Sequence, residues 1–363
     1  MNNSRLLTKL QIYLMIIQAQ LGIGLLSLPN LLQMEVEQNA WMPVLVAGML
    51  VQLTMVVYWL LLKRFPGSSY QEIPLLITGP YIGRAINIVN YIGFLIIGTY
   101  SMILLVNLVN NWLLPYTPVW SIALLIIALS MYLVVQDYPV VARYLVVLSV
   151  VLVPVFILLV LILFQTPLEV RHLMPVGGSG FLEVIKSAEA DLFAVLGFEL
   201  MLFIGPYVHM KHSKLLRTVS LSNATITLLY FVVIILCVMV FSPDVLKQVR
   251  EPVLYLMRSL SFNTVDRIDL LFVFIWLSPM TASVIIYLLI CSKSIGKEGK
   301  PLRSIVLISG GIMYILVVSA SYSEEAFRLY DLILKYTIYI VAFFLPFLLT
   351  LLSYLFKKKK VNA

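Results

Sequence analysis

The groups best placed to do chemistry in this 363-residue chain are main-chain groups released by glycine and proline. The stretch QAQLGIGLLSLP, residues 18 to 29, sets Gly22 and Gly24 in the middle of a long apolar run, with Pro29 soon after. A second stretch, LGFELMLFIGP, residues 196 to 206, sets Gly197 in a similar run and closes it with Gly205 and Pro206. Glycine costs a helix about 1 kcal/mol relative to alanine, and within lipid any main-chain group that leaves the helix must find another partner. Two readings follow. Either the glycines admit a neighbouring helix at close range, or the helices open here to hold something. Where the first run opens, the N-terminus of its outer half offers N–H groups and partial positive charge, which suit a carboxylate. Carbonyls at the ends of the inner halves suit an ammonium group. A zwitterionic amino acid matches both without any charged side chain.

Glu199 is the most informative side chain beside these glycines. It follows the second interruption inside an apolar run, where a carboxylate is expensive. Three roles are open to it: a protonated member of a proton relay, a cap on the free N–H groups of the inner half-helix, or a contact to a partner subunit. Lys186, Glu189 and Asp191 lie toward the outer end of the same run. Lys186 and Glu189, spaced i, i+3, form a pair able to neutralise each other, and the three are expected to line an outer vestibule. Enzymatic chemistry finds no footing: no nucleophile–base pair, HExxH-type motif or phosphate-binding glycine loop occurs. His172 stands alone, while His209 and His212 sit in a basic loop without metal-ligand spacing. Neither a metal nor a cofactor is expected.

These residues need elements to position them. The chain is 61% hydrophobic and 12% charged, with a mean hydropathy of +1.02, whereas soluble domains are about half apolar and a quarter charged. This is the composition of a polytopic membrane protein. At about 20 apolar residues per crossing, runs near 10–33, 41–62, 82–109, 119–136, 143–164, 186–208, 218–241, 270–291, 304–320 and 331–356 predict ten spanning helices, the fourth and ninth short. No small-residue cleavage site follows the first run, so it reads as a span and not a removable signal. Cys237 and Cys291 end consecutive long runs; they fall at opposite membrane faces, which excludes a disulfide between them.

With a cytoplasmic N-terminus, the inner segments hold about 17 of the 25 basic residues: Arg5, Lys9, Lys63, Arg64, Arg84, Arg143, Lys211, Lys214, Arg217, Lys293, Lys297, Lys300, Arg303 and Lys357 to Lys360. Most acidic residues, Asp266 and Asp269 among them, fall outside. The positive-inside rule then puts both termini in the cytoplasm. The long outer segment 242–269 carries apolar residues spaced for short amphipathic helices on that face. The FKKKK tail fits either attraction to anionic lipid or a topology determinant.

Ten spans divide as five plus five, about 10–164 and 186–356, within one transmembrane domain over 1–363. The first and sixth spans are each interrupted by glycine and closed by proline. Five spans per half give the halves opposite orientations, and paired interruptions in inverted repeats point to a binding site at the membrane midplane.

QLGIGLLSLP resembles the first span of the amino acid–polyamine–organocation superfamily. LGFELMLFIGPYVHMKH, together with the lysine-bounded loop after the eighth span, resembles the B subunit of spore germinant receptors over nearly the whole chain. That resemblance implies the all-α, leucine-transporter-like fold with broken helices 1 and 6, location in the spore inner membrane, and sensing of a small nutrient such as an amino acid. It also implies two partners, a larger A subunit and a lipoprotein C subunit. The pocket it implies is lined by Gly22, Ile23 and Gly24 from the first span and Val195, Leu196 and Gly197 from the sixth. The third span contributes Ile97, Tyr100 and Ser101; the eighth contributes Ser278, Thr281 and Ala282, beside Pro279. A plain packing stripe on the third span and hydroxyls bonded back to their own helix on the eighth are the competing readings. The fifth span lacks the lysine that some proton-coupled relatives of the superfamily carry. An ordinary secondary transporter of amino acids is the rival function, and a ligand-free scaffold for a receptor complex is a third reading.

Overall fold

The computed structural model describes residues 7–22, 24–136, 138–178, 180–208, 212–260, 267–295, 303–321 and 323–359. Ile23, and the charged or basic-loop residues Arg5, His209, Lys211, Asp266, Lys297, Lys300 and Lys360 named above, lie outside this set. The helices in chain order are α1 Lys9–Gln20, α2 Leu28–Val36, α3 Trp41–Arg64, α4 Glu72–Thr78, α5 Pro80–Trp112, α6 Val119–Val134, α7 Tyr138–Ser149, α8 Leu152–Gln165 and α9 Phe181–Ala194. They continue with α10 Leu200–Phe203, α11 His212–Val240, α12 Pro243–Gln248, α13 Pro252–Arg258, α14 Ile268–Ile295, α15 Arg303–Ser321, α16 Glu324–Ile338 and α17 Leu345–Leu355.

Among the described residues, seven helices are long and apolar enough to cross a membrane: α3, α5, Tyr138–Gln165 (α7 with α8), α11, α14, α15 and Glu325–Leu355 (α16, a π-helical segment Tyr339–Phe344, and α17). The fourth apolar run is carried by α6, which has only 16 residues. The two glycine-bearing runs come in pieces. α1 stops at Gln20 and α2 starts at Leu28; α9 stops at Ala194 and α10 starts at Leu200, followed by a 3-10 turn at Gly205–Tyr207.

Local sequence accounts for these ends. α1 opens with a reciprocal capping box: Gln11 N–H donates to Thr8 Oγ1 at 3.3 Å and Thr8 N–H to Gln11 Oε1 at 2.9 Å. Pro29 falls in the first turn of α2, where its missing N–H costs nothing. At its other end α3 is tied to α17, with the Arg64 guanidinium donating to Ser353 O at 2.7 Å and lying 4.0 Å over the Tyr354 ring.

α1 packs between α11, α7 and α14, and α9 packs on α2 and α3, so the interrupted runs occupy the interior of the bundle. The segment between α11 and α14 contains the two short helices α12 and α13, whose Leu246, Val253, Leu254, Leu256 and Met257 are buried. It clamps α2: Asn30 Nδ2 donates to Leu246 O at 2.8 Å and Lys247 O at 2.9 Å, and Lys247 pairs with Glu37 at 2.8 Å.

Candidate binding site

Both interruptions have the same backbone signature. Gly22 has φ +121° and Gly197 has φ +122°, a conformation open to glycine and strained for residues with a Cβ. Both are also pressed against neighbours. A Cβ at Gly22 would lie 3.0 Å from Met280 N, one at Gly24 2.7 Å from Ala194 Cα, and one at Gly197 2.1 Å from Ala19 O. The close-packing alternative is met at all three glycines, and Gly22 and Gly197 also lie between helical segments, Gly24 packing on Ala194 and Gly197 on Ala19.

Three of the main-chain groups released there are taken up by two side chains. The Tyr230 hydroxyl, from α11, lies 3.1 Å from Gln20 O and 3.0 Å from Ala194 O, the last carbonyls of α1 and α9. Its single proton therefore serves both helix C-termini. Glu199 Oε2 accepts the Gly197 N–H at 2.7 Å and the Tyr287 hydroxyl at 3.4 Å. The carboxylate thus braces the opened segment from within. It does so at Gly197 and not at the start of α10, where Leu200, Met201 and Leu202 donate instead to the carbonyls of Gly197, Phe198 and Glu199 in a tight turn. Tyr230 escaped sequence reasoning because a tyrosine in an apolar run carries no spacing signal. Asn223 accepts from Gln20 Nε2 at 3.5 Å and donates to Gly48 O at 3.0 Å; with Tyr230, seven positions on, it puts two polar groups on one face of an apolar helix, the one signal that marks this face in the sequence.

The remaining candidates divide by depth. Val195, Leu196, Ile97, Ser101 and Ala282 are buried, and Ser101 Oγ donates back to Ile97 O at 2.9 Å. Ser278 Oγ reaches Leu148 O on α7 at 3.5 Å and Thr281 is half-buried. Gly24 and Tyr100 reach a cavity of about 330 Å³ between α2, α5, α9 and α16. The Tyr100 hydroxyl donates to Asp331 Oδ1 at 3.3 Å, and its ring stacks on Phe327.

Five charged side chains line that cavity: Glu35, Lys186, Glu189, Asp331 and Lys335. The expected Lys186–Glu189 pairing is corrected, because Lys335 reaches across from α16 and binds Glu189 at 2.6 Å. Asp191 is also not part of this lining. Residues 186, 189, 190 and 193 share one helical face, and Asp191, only 1% exposed, faces the bundle interior. Cys237 and Cys291 are free, buried thiols.

Known proteins resemble this chain along its length. A family model described as spore germination protein matches residues 6–327. Spore germination protein YndE of Bacillus subtilis (strain 168) is 24% identical over 352 residues, 96% of each chain. Spore germination protein GerQB of Bacillus cereus is 22% identical over 308 residues, 85% of this chain and 84% of its own. Spore germination protein A2 of Bacillus subtilis (strain 168) is 25% identical over 337 residues, covering 91% and 90%. Among solved structures, the substrate-bound outward-open state of a Na+-coupled sialic acid symporter superposes with a TM-score of 0.65 at 12% identity, covering 93% of this chain and 79% of that one. At that identity the likeness concerns the fold alone: an all-helical membrane bundle. With the family model spanning most of its length, this multi-pass membrane chain belongs to the spore germination protein family.

Proposed function

We propose that the chain is the integral membrane subunit of a spore germinant receptor, which binds a small nutrient, an amino acid first of all, at mid-depth and thereby triggers germination. Taking α1 with α2 and α9 with α10 as one crossing each, and adding α6, yields ten crossings. They form two inverted repeats, about 10–164 and 186–356, with both termini cytoplasmic and the chain in the spore inner membrane. A larger A subunit and a lipoprotein C subunit are its partners.

The observation that carries this reading is the matched pair of glycines at φ +121° and +122°, one in each interrupted run, below a cavity rich in both signs of charge. Gly22, Ile23, Gly24, Val195, Leu196 and Gly197 form the side of the pocket that receives the part common to all amino acids, through those main-chain groups that Tyr230, Glu199 and Leu200 do not take up. Ile97, Tyr100, Ser101, Ser278, Thr281 and Ala282 form the wall that faces the variable part. Binding biases the complex between two conformations by its differential affinity for them. Gly22→Leu tests the pocket in spores: the germinant response is lost while protein levels stay normal, and a full response at normal levels removes the pocket from the mechanism. Thermal-shift screening of purified protein against amino acids, sugars and nucleosides identifies the ligand class.

Secondary active transport of amino acids is the second reading, favoured by the fold likeness to a Na+-coupled symporter. Saturable uptake into vesicles by this chain alone, driven by a sodium or proton gradient, would place it first.

A further inference from the structure

A second cavity, about 580 Å³, opens on the flank of the molecule between α3, the π-helical segment and α17. Tyr58, Leu192 and Phe343 form its floor. At its rim stand Leu53, Phe344 and Phe347, which are 63, 56 and 58% exposed although they belong to helices apolar enough to cross a membrane. Two of its polar groups are satisfied within the flanking helices, Thr54 Oγ1 donating to Leu50 O at 2.9 Å and the Tyr58 hydroxyl to Ala342 O in the π-helical segment, while the Tyr339 hydroxyl bonds to Glu189. π-Helical turns inside helices recur at functional sites; here a carbonyl within the turn, that of Ala342, anchors the floor.

We propose that this crevice is a binding site for a lipid acyl chain, entering sideways from the bilayer, and that its occupancy acts on the central opening through Phe198. Three observations fix the occupant. The lining offers hydrocarbon and ring faces with no charge to hold a headgroup. The rim lies along membrane-crossing helices, so hydrocarbon is the medium outside it. A helix is about 10–12 Å across, and 580 Å³ holds little more than one turn of one, whereas a single chain threads it. The link inward is direct. Phe198, between Gly197 and Glu199, packs on Tyr58 at 6.0 Å and on Phe343 at 5.7 Å between ring centroids. The same two rings therefore face the crevice on one side and the opened segment on the other. This inference is independent of what the central pocket holds.

The test uses the full chain in nanodiscs and a photoreactive palmitate with a mid-chain diazirine. Labelling of peptides 50–57 and 339–347 should saturate and fall at least several-fold under excess palmitate. Labelling of the exposed Ile315 face of α15 should stay proportional to probe and serve as the bulk-lipid reference. Thr54→Trp, and independently Val57→Phe, fill the crevice and should abolish the saturable part while leaving the reference unchanged. Palmitate should also slow hydrogen exchange in peptide 195–203 of the unmodified chain and not of the filled variants. Labelling at the crevice that tracks the α15 reference without saturation overturns the site. Saturable labelling with unchanged exchange at 195–203 overturns the coupling.

Discussion

Gly197 lies so close to Ala19 that an added Cβ would stand 2.1 Å from the Ala19 carbonyl oxygen. The contact joins the middle of one interrupted run to the last full turn of the other, and it holds only while Gly197 keeps φ +122°. Gly197→Ala should therefore cost twice over, about 1–3 kcal/mol for backbone strain and about 1–3 kcal/mol for overpacking. Gly311→Ala is the control: a Cβ there meets nothing within 4 Å, so helix propensity alone acts and the change stabilises by up to about 1 kcal/mol. Thermal melts of the two purified variants should move in opposite directions, and equal shifts would dismiss the close-approach account.

Glu199 gives a second outcome. Its Oε2 takes the Gly197 N–H at 2.7 Å in a fully buried setting. Glu199→Ala leaves that N–H and the Tyr287 hydroxyl without this acceptor, at a cost of about 1–3 kcal/mol for a buried group left unsatisfied. Glu199→Gln keeps an acceptor oxygen of the same reach and should recover most of the loss in melting temperature. If Gln is as damaging as Ala, the role of Glu199 depends on its charge or its proton, and the brace is the wrong description.

Tyr230 joins the two helix ends, and its removal should loosen both together. Tyr230→Phe keeps the ring but strips the donor shared by Gln20 O and Ala194 O. Hydrogen exchange in peptides spanning 21–28 and 195–202 should accelerate in parallel in this variant. Acceleration confined to one peptide would mean that the hydroxyl serves one carbonyl only.

Gly197, Glu199 and Tyr230 mark where the sequence was readable and where it was not. Gly22 and Gly197 announced themselves because glycine in an apolar run contradicts both helix propensity and lipid exclusion. Glu199 did so because a carboxylate in such a run must have a purpose. The long apolar runs gave α3, α5, α11 and α14 by length alone, and the shorter ninth run gave α15. Tyr230 could not be read, since its role depends on which two carbonyls the tertiary fold brings within 3.1 Å of it. Lys335 belongs to the same class: pairing with the local neighbour Lys186 was the only option visible for Glu189, and the true partner comes from 146 positions further along the chain. The short α4 stayed hidden as well, being seven residues between two spans.

Glu251, in the segment joining α12 to α13, makes stability depend on pH. Burial pushes its carboxyl above the ordinary range, against the opposing effects of the Trp112 Nε1–H donated to it and the nearby Arg250 charge. A carboxyl whose folded value is raised favours the folded state while protonated. That contribution is present at acid pH and is lost as pH rises from the ordinary carboxylate range through the raised value. Glu251→Gln keeps an acceptor for Trp112 and removes the charge. The variant should melt higher than the parent at neutral pH, with the gap closing as pH falls toward 4. A gap that widens on acidification would reverse the sign argued here.

The Lys335–Glu189 pair, 2.6 Å long and 45% and 30% exposed at its two side chains, ties α16 to α9 across the charged cavity. An ion pair this wet is worth about 0.2–1 kcal/mol, too little to hold the fold and enough to bias an opening. Ser27 lines the same cavity, while the native Cys237 and Cys291 are buried, so a Ser27→Cys chain reports access to the cavity through its rate of modification by a small thiol reagent. Glu189→Gln in that chain should raise the rate about 1.5- to 5-fold, the span that 0.2–1 kcal/mol allows. The exchanged pair Glu189→Lys with Lys335→Glu should return it toward the starting value, because the attraction is restored with its direction reversed. Melting temperatures should stay nearly unchanged throughout. A rate indifferent to Glu189→Gln would show that the cavity stands open regardless of the pair, and control of access would then have to lie deeper, where Gly24 meets Ala194.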